Sequence, residues 1–156
     1  MKFFKWILFA AVLLLALGIF ALSSQPRDDS NKLSGIFTIR IVQLYQQITG
    51  NGDSERIHEI AEDIHGITRK YAHFVLYTIL GILTGLLFSA GKRRWSALPA
   101  WILCVLYAIS DEYHQTFVSG RSGEVRDVLI DSAGALLGIT AVMLTGWLNA
   151  KIKSTK

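Results

Sequence analysis

Residues 110–127, SDEYHQTFVSGRSGEVRD, are rich in ionisable side chains, yet they join two long apolar segments. Before them stands WSALPAWILCVLYAI, residues 95–109, and after them stands VLIDSAGALLGITAVML, residues 128–144. A charged side chain inside hydrocarbon costs about 2.5–3.5 kcal/mol on the most permissive scale, so ionisable residues beside membrane helices indicate function. The arrangement predicts membrane helices that carry a polar site at their ends.

The composition places the whole chain in the membrane class. It has 156 residues, of which 51% are hydrophobic, and this length fits one membrane domain, residues 1–156. Four apolar segments approach the roughly 17–25 residues that a helix needs to cross a bilayer. We predict an all-α bundle of four transmembrane helices, at about residues 6–22, 71–90, 95–111 and 127–148. The third apolar core, Trp95–Ile109, is short and spans only if Ser110 and Asp111 extend it.

The distribution of positive charge predicts the orientation of these helices. Lys and Arg concentrate on the cytoplasmic side of membrane proteins, and eight of them lie in three segments without an acid. These are Lys2 and Lys5, then Lys92, Arg93 and Arg94, then Lys151, Lys153 and Lys156. Both termini are therefore expected in the cytoplasm, with the polar site on the extracytoplasmic side. A cleaved signal peptide is the less favoured interpretation of the first segment, because residues 21–23 are a poor cleavage site.

The outer loop, residues 23–70, contains two amphipathic patterns separated by TGNGDS at residues 49–54. Apolar residues recur at helical spacing from Phe37 to Ile48 and again from Ile57 to Ile64. We predict two short interfacial or extracytoplasmic helices, the second capped by Asp53 or Ser54 and ended by Gly66. Glu62 and His65 have a spacing found in metal sites, but a solvated acidic face is the favoured interpretation.

Three polar patches lie at the predicted outer ends of the spans. They are Arg69, Lys70 and His73; Asp111, His114 and Gln115; and Arg126, Asp127 and Asp131. Gly134 and Gly138 form a small-residue face that would let another helix approach closely. Because the patches share one predicted depth, we expect them to line one cavity open to the outer leaflet. Mutual pairing that merely pins the helices together is the alternative, and it is less favoured for the set as a whole.

Three sequence motifs resemble the VanZ-like family of small bacterial membrane proteins, which is named for a member linked to teicoplanin resistance. The motifs are SSQP at residues 23–26, RKYAHFVLYTILG at 69–81, and DEYHQTFVSGRSGEVRDVLIDSAGALLG at 111–138. The chain departs from the family at Leu76, where relatives often carry Glu, and at Ser119, where they often carry Pro. The resemblance implies a bacterial cell membrane protein whose polar set is Ser23, Ser24, Gln25, Lys70, His73, Asp111, Glu112, His114, Gln115, Arg121, Asp127 and Asp131.

These residue types predict a pocket for an amphiphile with a phosphorylated head group. Cations suit the anion, a histidine suits a base or nucleophile, and a carboxylate can orient the imidazole. The predicted catalytic residues are His73, Asp111, His114 and Asp127. The predicted substrate-binding residues are Ser23, Ser24, Gln25, Lys70, Glu112, Gln115, Arg121, Arg126 and Asp131. The resemblance also implies kinship with enzymes that exchange or cleave lipid head groups.

Several alternatives stay open at this point. A non-catalytic protein that binds a lipid or a lipid-linked envelope precursor, and so limits antibiotic access, is the main rival. A proton-coupled transporter is weaker, because no inverted repeat is visible. A divalent metal held by Asp111, His114 and Asp127 is less favoured, because their spacing is not diagnostic. The charge pattern reflects topology, so no nucleic-acid partner is expected, and the sequence indicates no protein partner.

Overall fold

The computed structural model describes residues 2–26, 39–48, 50, 54–89 and 97–155. Within these ranges the chain forms five helices and no strand. They are α1 at Lys2–Ser23, α2 at residues 39–48, α3 at Ser54–Ser89, α4 at Ala97–Gln115 and α5 at Val125–Ser154. The predicted all-α class is confirmed.

Helix α1 is an apolar helix that ends at the polar residues SSQP. Its only buried residues are Leu8, Ile19 and Ser23, so most of its apolar surface faces outward, as it would in lipid. Ser23 Oγ donates to the carbonyl of Ile19 at 2.9 Å, and Ser24 Oγ donates to that of Phe20 at 2.6 Å. The helix stops there because a proline follows, and the residue before a proline disfavours helical geometry.

Helix α3 differs from the prediction of two separate helices in this region. It runs without interruption through Gly66, which was predicted to end a short outer helix. A single glycine costs a helix only about 1 kcal/mol, which the intact turns on either side outweigh. The 36 residues of α3 measure about 54 Å at 1.5 Å per residue, well beyond the thickness of a hydrocarbon core. The predicted interfacial position of its first part and of α2 stays a prediction.

Three helices are long and apolar enough to cross a membrane. They are α1, the Asp63–Ser89 part of α3, and α5. Helix α4 falls short of that class because its last turn contains Asp111, Glu112 and His114. The four-span count therefore stays a prediction.

Close packing of α3 on α5 positions the polar end of the bundle. A Cβ atom on Gly81, Gly134 or Gly138 would overlap backbone atoms of the facing helix, so the predicted small-residue face is confirmed. Helix α4 packs on both α3 and α5, and α1 packs on α3. The apolar core between them contains Ile19, Tyr77, Leu80, Cys104, Ala108 and Ala135. Directly beyond this core, buried polar side chains replace the apolar ones.

Candidate functional site

The polar end of the bundle collects side chains from four helices and one loop. Ser23 lies at the end of α1, and Lys70 and His73 lie in the middle of α3. The end of α4 supplies Asp111, Glu112 and Gln115. Asp127 and Asp131 lie in the first two turns of α5. The buried polar residues at this end are Ser23, Asp111, Glu112, Gln115, Asp131 and Ser132. The predicted patches therefore lie at the same end of the molecule.

At the floor of this region, a histidine faces two buried aspartates from different helices. We call His73, Asp111 and Asp131 the buried triad. His73 Nδ1 is 3.4 Å from Asp131 Oδ2 and 3.9 Å from Asp111 Oδ2, and both aspartates are only 1% exposed. Ser23 Oγ donates to Asp111 Oδ2 at 2.9 Å. Three helices thus converge on one imidazole, and α1 supports one of the carboxylates.

Asp131, which faces His73, was predicted from the sequence to have a different role. Asp131 was predicted to bind substrate, and Asp111 or Asp127 was predicted to orient an imidazole. In the structure Asp131 faces His73, whereas Asp127 Oδ1 accepts a hydrogen bond from Lys70 Nζ at 2.6 Å. The reason is register: α3 and α5 descend side by side, so the earlier residues of each helix meet and the later ones meet one turn deeper.

Lys70 connects α3 to the start of α5 through two carboxylates. Its Nζ donates to Glu124 Oε2 at 3.0 Å as well as to Asp127. The hydrogen bond and charge of Lys70 lower the pKa of Glu124, which lies before the first turn of α5. An ammonium group has three N–H donors, and two of those of Lys70 have acceptors among the described residues, so the third could donate to an incoming anion.

The loop between α4 and α5 is fastened by a chain of hydrogen bonds, which we call the loop clasp. Gln115 Nε2 donates to Glu112 Oε1 at 2.9 Å, and the backbone N–H of Glu124 donates to Glu112 Oε2 at 3.0 Å. Arg121 Nη1 donates to Gln115 Oε1 at 3.2 Å, and its Nη2 donates to the carbonyl of Leu22 at 3.3 Å. Gly120 adopts a φ of 73°, a left-handed conformation that glycine reaches without strain and that lets the loop turn sharply.

The loop clasp changes the interpretation of Arg121. This residue was predicted to present its guanidinium to a phosphate or carboxylate, but both terminal nitrogens already donate to protein oxygens. Burial lowers the pKa of the guanidinium, and its Nε is buried without a partner among the described residues. The structure thus favours a fastening role for Arg121 over direct binding of an anion.

His114 lies beside α1 and apart from the buried triad. Its Nε2 is 3.1 Å from Ser24 Oγ, and its ring lies 4.4 Å from the ring of Phe20. The single hydroxyl proton of Ser24 already points to the Phe20 carbonyl, so the imidazole is the donor in this pair. The serine is therefore not arranged as a nucleophile activated by His114.

A small cavity opens beside the buried triad. Its volume is about 10 Å³, roughly the room that one water molecule or ion needs. It is lined by Arg69, Lys70, His73, Glu112, Gln115, Asp127, Ile130 and Asp131. Of the residues predicted to share one cavity, His73 and Asp127 line it, and Asp111, His114 and Arg121 lie outside its lining.

Two residues gain importance only in the structure. Tyr77 is fully buried, its hydroxyl has no partner among the described residues, and its ring lies 6.3 Å from that of His73. Its position one turn after His73 was the available signal. Arg69, which was recognised in the patch but assigned no role, lines the cavity. For Gln25 and Arg126, the structure gives no side-chain hydrogen bond to another described residue.

Comparison with known protein families identifies the family of the chain. A family model described as VanZ/LLP1 matches residues 7–146. The chain belongs to the VanZ/LLP1 family. The match extends beyond the three motifs to almost the whole chain, so the resemblance inferred from those motifs is confirmed. No curated protein and no solved structure matches the sequence.

Proposed function

We propose that this VanZ-family protein is a membrane enzyme that acts on the phosphorylated head group of a lipid or a lipid-linked envelope precursor. The observation that carries the proposal is the buried triad, of which His73 and Asp131 line a cavity that is also lined by two cations, Arg69 and Lys70. An imidazole with carboxylate partners suits activation of an attacking oxygen, and the cations suit the phosphate. Through such chemistry the protein would alter susceptibility to glycopeptides such as teicoplanin.

The proposed reaction divides the polar residues into two groups. Lys70, with its remaining N–H donor, and Arg69 hold the phosphate oxygens. The buried triad activates a water or hydroxyl group, whose oxygen bonds to phosphorus while the bond from phosphorus to the leaving oxygen breaks. The proton of the attacking group passes to the triad, and the leaving oxygen takes up a proton from solvent. Hydrolysis and head-group exchange differ only in whether water or an alcohol attacks.

The proposed location is the outer leaflet of the bacterial cell membrane. It combines four spans, with α4 as the third, and a cytoplasmic position for both termini, as the cation distribution favours. Exposed aromatic residues close to the site, Tyr113 and Phe117, would contact lipid or its interface. Residues 116–124 would then face the extracytoplasmic side.

Single cysteines test this orientation. The native Cys104 is first replaced by alanine, and cysteine is then introduced at Ser119 or at Lys92. We expect an impermeant thiol reagent to label the Ser119→Cys variant in intact cells and the Lys92→Cys variant only after lysis. The opposite pattern would reject both the orientation and the proposed outer-leaflet site.

The activity itself is tested with the full-length protein in vesicles that contain phospholipids and undecaprenyl phosphate-linked lipids. Mass spectrometry of the lipids before and after incubation should reveal loss or exchange of a head group in the presence of the native protein. His65→Gln, on α3 but outside the cavity lining, serves as the matched control and should behave as the native protein does. Unchanged lipids in every mixture would contradict the enzyme.

A non-catalytic binding protein is the second candidate, and the two cations in the cavity lining favour it, because they can hold an anion without a base. Such a protein would bind a head group without altering it. Retained binding in a His73→Gln variant, together with unchanged lipid masses for the native protein, would select this candidate. The cations Arg69 and Lys70 would then carry the function, since they would still hold the anion.

A further inference from the structure

We propose that His73, Asp111 and Asp131 bind a divalent cation, of the kind represented by Zn²⁺ or Mn²⁺. Imidazole and carboxylate together suit such ions. What the ion does for a lipid substrate rests on the proposed function, whereas its binding does not. The site differs from the metal set considered from the sequence, because His114 and Asp127 are replaced by His73 and Asp131.

The spacing of the triad is close to that of ligands around a metal, with one distance inside the expected range and one slightly above it. A tetrahedral ion with metal–ligand distances of about 2.0–2.2 Å keeps its ligand atoms about 3.3–3.6 Å apart. His73 Nδ1 is 3.4 Å from Asp131 Oδ2 and 3.9 Å from Asp111 Oδ2, and all three ligand atoms lie within 4.8 Å of one another. A charge-assisted hydrogen bond would be shorter, at about 2.7–2.9 Å. Both distances from His73 Nδ1 exceed that value, so neither carboxylate is paired with the imidazole as closely as a charge-assisted hydrogen bond would hold it.

The charge balance of the triad calls for a cation. Asp111 and Asp131 are both 1% exposed, and two buried carboxylates close together cannot both remain charged without compensation. Among the described residues, the only ion pairs of these two aspartates are with His73. Lys70 does not supply the charge, because its partners among the described residues are Glu124 and Asp127. A divalent cation would neutralise both carboxylates while the imidazole stays neutral.

Two buried polar atoms in the same layer have no partner among the described residues. They are Asp111 Oδ1, on a triad residue, and the hydroxyl of Tyr77, whose ring stacks beside His73. Buried polar atoms are nearly always hydrogen-bonded, so each such atom requires an explanation. A metal ion with its bound water would provide partners at this position. The orphaned carboxylate oxygen is an observation independent of the triad distances.

The surroundings also resemble those of metal sites. Ser23 donates a hydrogen bond to Asp111 Oδ2, as outer groups commonly do to ligating carboxylates. The small cavity adjoins His73 and Asp131, which leaves room for a water molecule at an open position. Catalytic metal sites with three protein ligands keep such a position for water or substrate. The cavity cations would bring a phosphate to that same side.

Direct binding measurements test the site without any assay of activity. The full-length protein is purified in detergent, treated with a chelator, and titrated with MnCl₂ while the free Mn²⁺ signal is followed by electron paramagnetic resonance. We expect one tight site per chain, from which Zn²⁺ displaces Mn²⁺. His73→Gln, Asp111→Asn and Asp131→Asn should each weaken binding by more than about 100-fold, since loss of a mere outer partner already costs about 10–100-fold.

Two milder variants distinguish the loss of a metal ligand from misfolding of the protein. Ser23→Ala keeps all three ligands and should weaken binding by about 10-fold, the lower end for an outer partner. Asp127→Asn makes the same chemical change as Asp131→Asn one turn away, and metal affinity should stay within roughly fivefold, as expected for loss of a partly exposed ion pair. Equal losses in Asp127→Asn and Asp131→Asn, or native affinity in His73→Gln, would overturn the site.

The metal and the lipid activity can fail separately. Tight binding of Mn²⁺ by a protein that leaves all lipids unchanged would keep the metal site and reject the enzyme. Lipid turnover that survives complete chelation and still requires His73 would reject a catalytic role for the ion, and the absence of a tight site in the Mn²⁺ titration would reject the metal site itself. In the former case the enzyme would stand, with His73 as a general base beside Asp131.

Discussion

His73 and His114 lie at the same end of the bundle, but their surroundings differ in chemistry. His73 faces two buried carboxylates and borders the cavity. His114 stacks on Phe20 and donates to a serine that belongs to α1. Both residues are histidines at one predicted membrane depth, so neither residue type nor depth separates them. The facing helices decide, because α4 and α5 each bring a carboxylate to His73, whereas the contacts of His114 with the described part of α1 are a hydroxyl and an aromatic ring.

The largest expected effect follows directly from this contrast. His73→Gln should lower lipid turnover by about 10²-fold or more, because a positioned acid, base or metal ligand typically contributes 10²–10⁴-fold. His114→Gln should lower it by less than about 10-fold, because the glutamine amide can still donate to Ser24 and only the packing on Phe20 changes. Lipid mass spectrometry with the purified variants measures both. Equal losses in the two variants would remove the distinction between the histidines.

The close approach of α3 and α5 places Asp131 beside His73. Gly138→Val would force these helices apart, because its side chain would overlap the backbone at Thr78 and Ile82. Overpacking of this kind costs about 1–3 kcal/mol or more, so we expect reduced thermal stability and at least a 10-fold loss of turnover. Gly146→Val is the matched control, because an added Cβ there meets no atom within 4 Å. A stable, fully active Gly138→Val variant would show that the helix approach does not position the triad.

The helices and the polar end could be predicted from the sequence, because both depend on local properties of the chain. Apolar length and the cost of charge in hydrocarbon were sufficient to identify His73, Asp111 and Asp131 as functional candidates. The register between α3 and α5 was not predictable, because it depends on packing at the glycines. For that reason Asp111 or Asp127 was predicted as the imidazole partner, whereas Asp131 lies closer to His73 than Asp111 does.

Two further differences have equally specific causes. The chain was predicted to break at Gly66, but the cost of one glycine is smaller than the stabilisation from the uninterrupted turns around it. Arg121 was predicted to face a ligand, yet its loop folds back on α4 and α1, where Gln115 and a backbone carbonyl accept its hydrogen bonds. Local sequence gives no signal for either hydrogen bond of Arg121, because each bond joins residues from separate elements.

The two aspartates of α5 provide a finer form of the same comparison. Asp131→Asn should lower turnover by about 10²-fold, because it removes a charged partner of His73 at the floor of the site. Asp127→Asn should lower turnover by less than about fivefold, because Lys70 still pairs with Glu124 and the lost ion pair is partly exposed. Kinetics over a range of lipid concentrations would separate the two, with kcat reduced in Asp131→Asn and mainly KM changed in Asp127→Asn. A greater loss in Asp127→Asn would reverse the assignment of His73's partner.

The smallest expected effect concerns the outermost contact on the His73 side, between Lys70 and Glu124. Lys70 lowers the pKa of Glu124 below its ordinary value of 4.5. A carboxylate with a lowered pKa stabilises the folded state at pH above its unfolded pKa, and this contribution disappears as the pH falls through the folded value. The difference in thermal stability between the native protein and Glu124→Gln should therefore be small and constant above about pH 5, and should shrink toward zero at lower pH. Because the Glu124 side chain is 44% exposed, salt should reduce the difference further. A stability difference that grows on acidification would mean that Lys70 does not favour the charged form of Glu124.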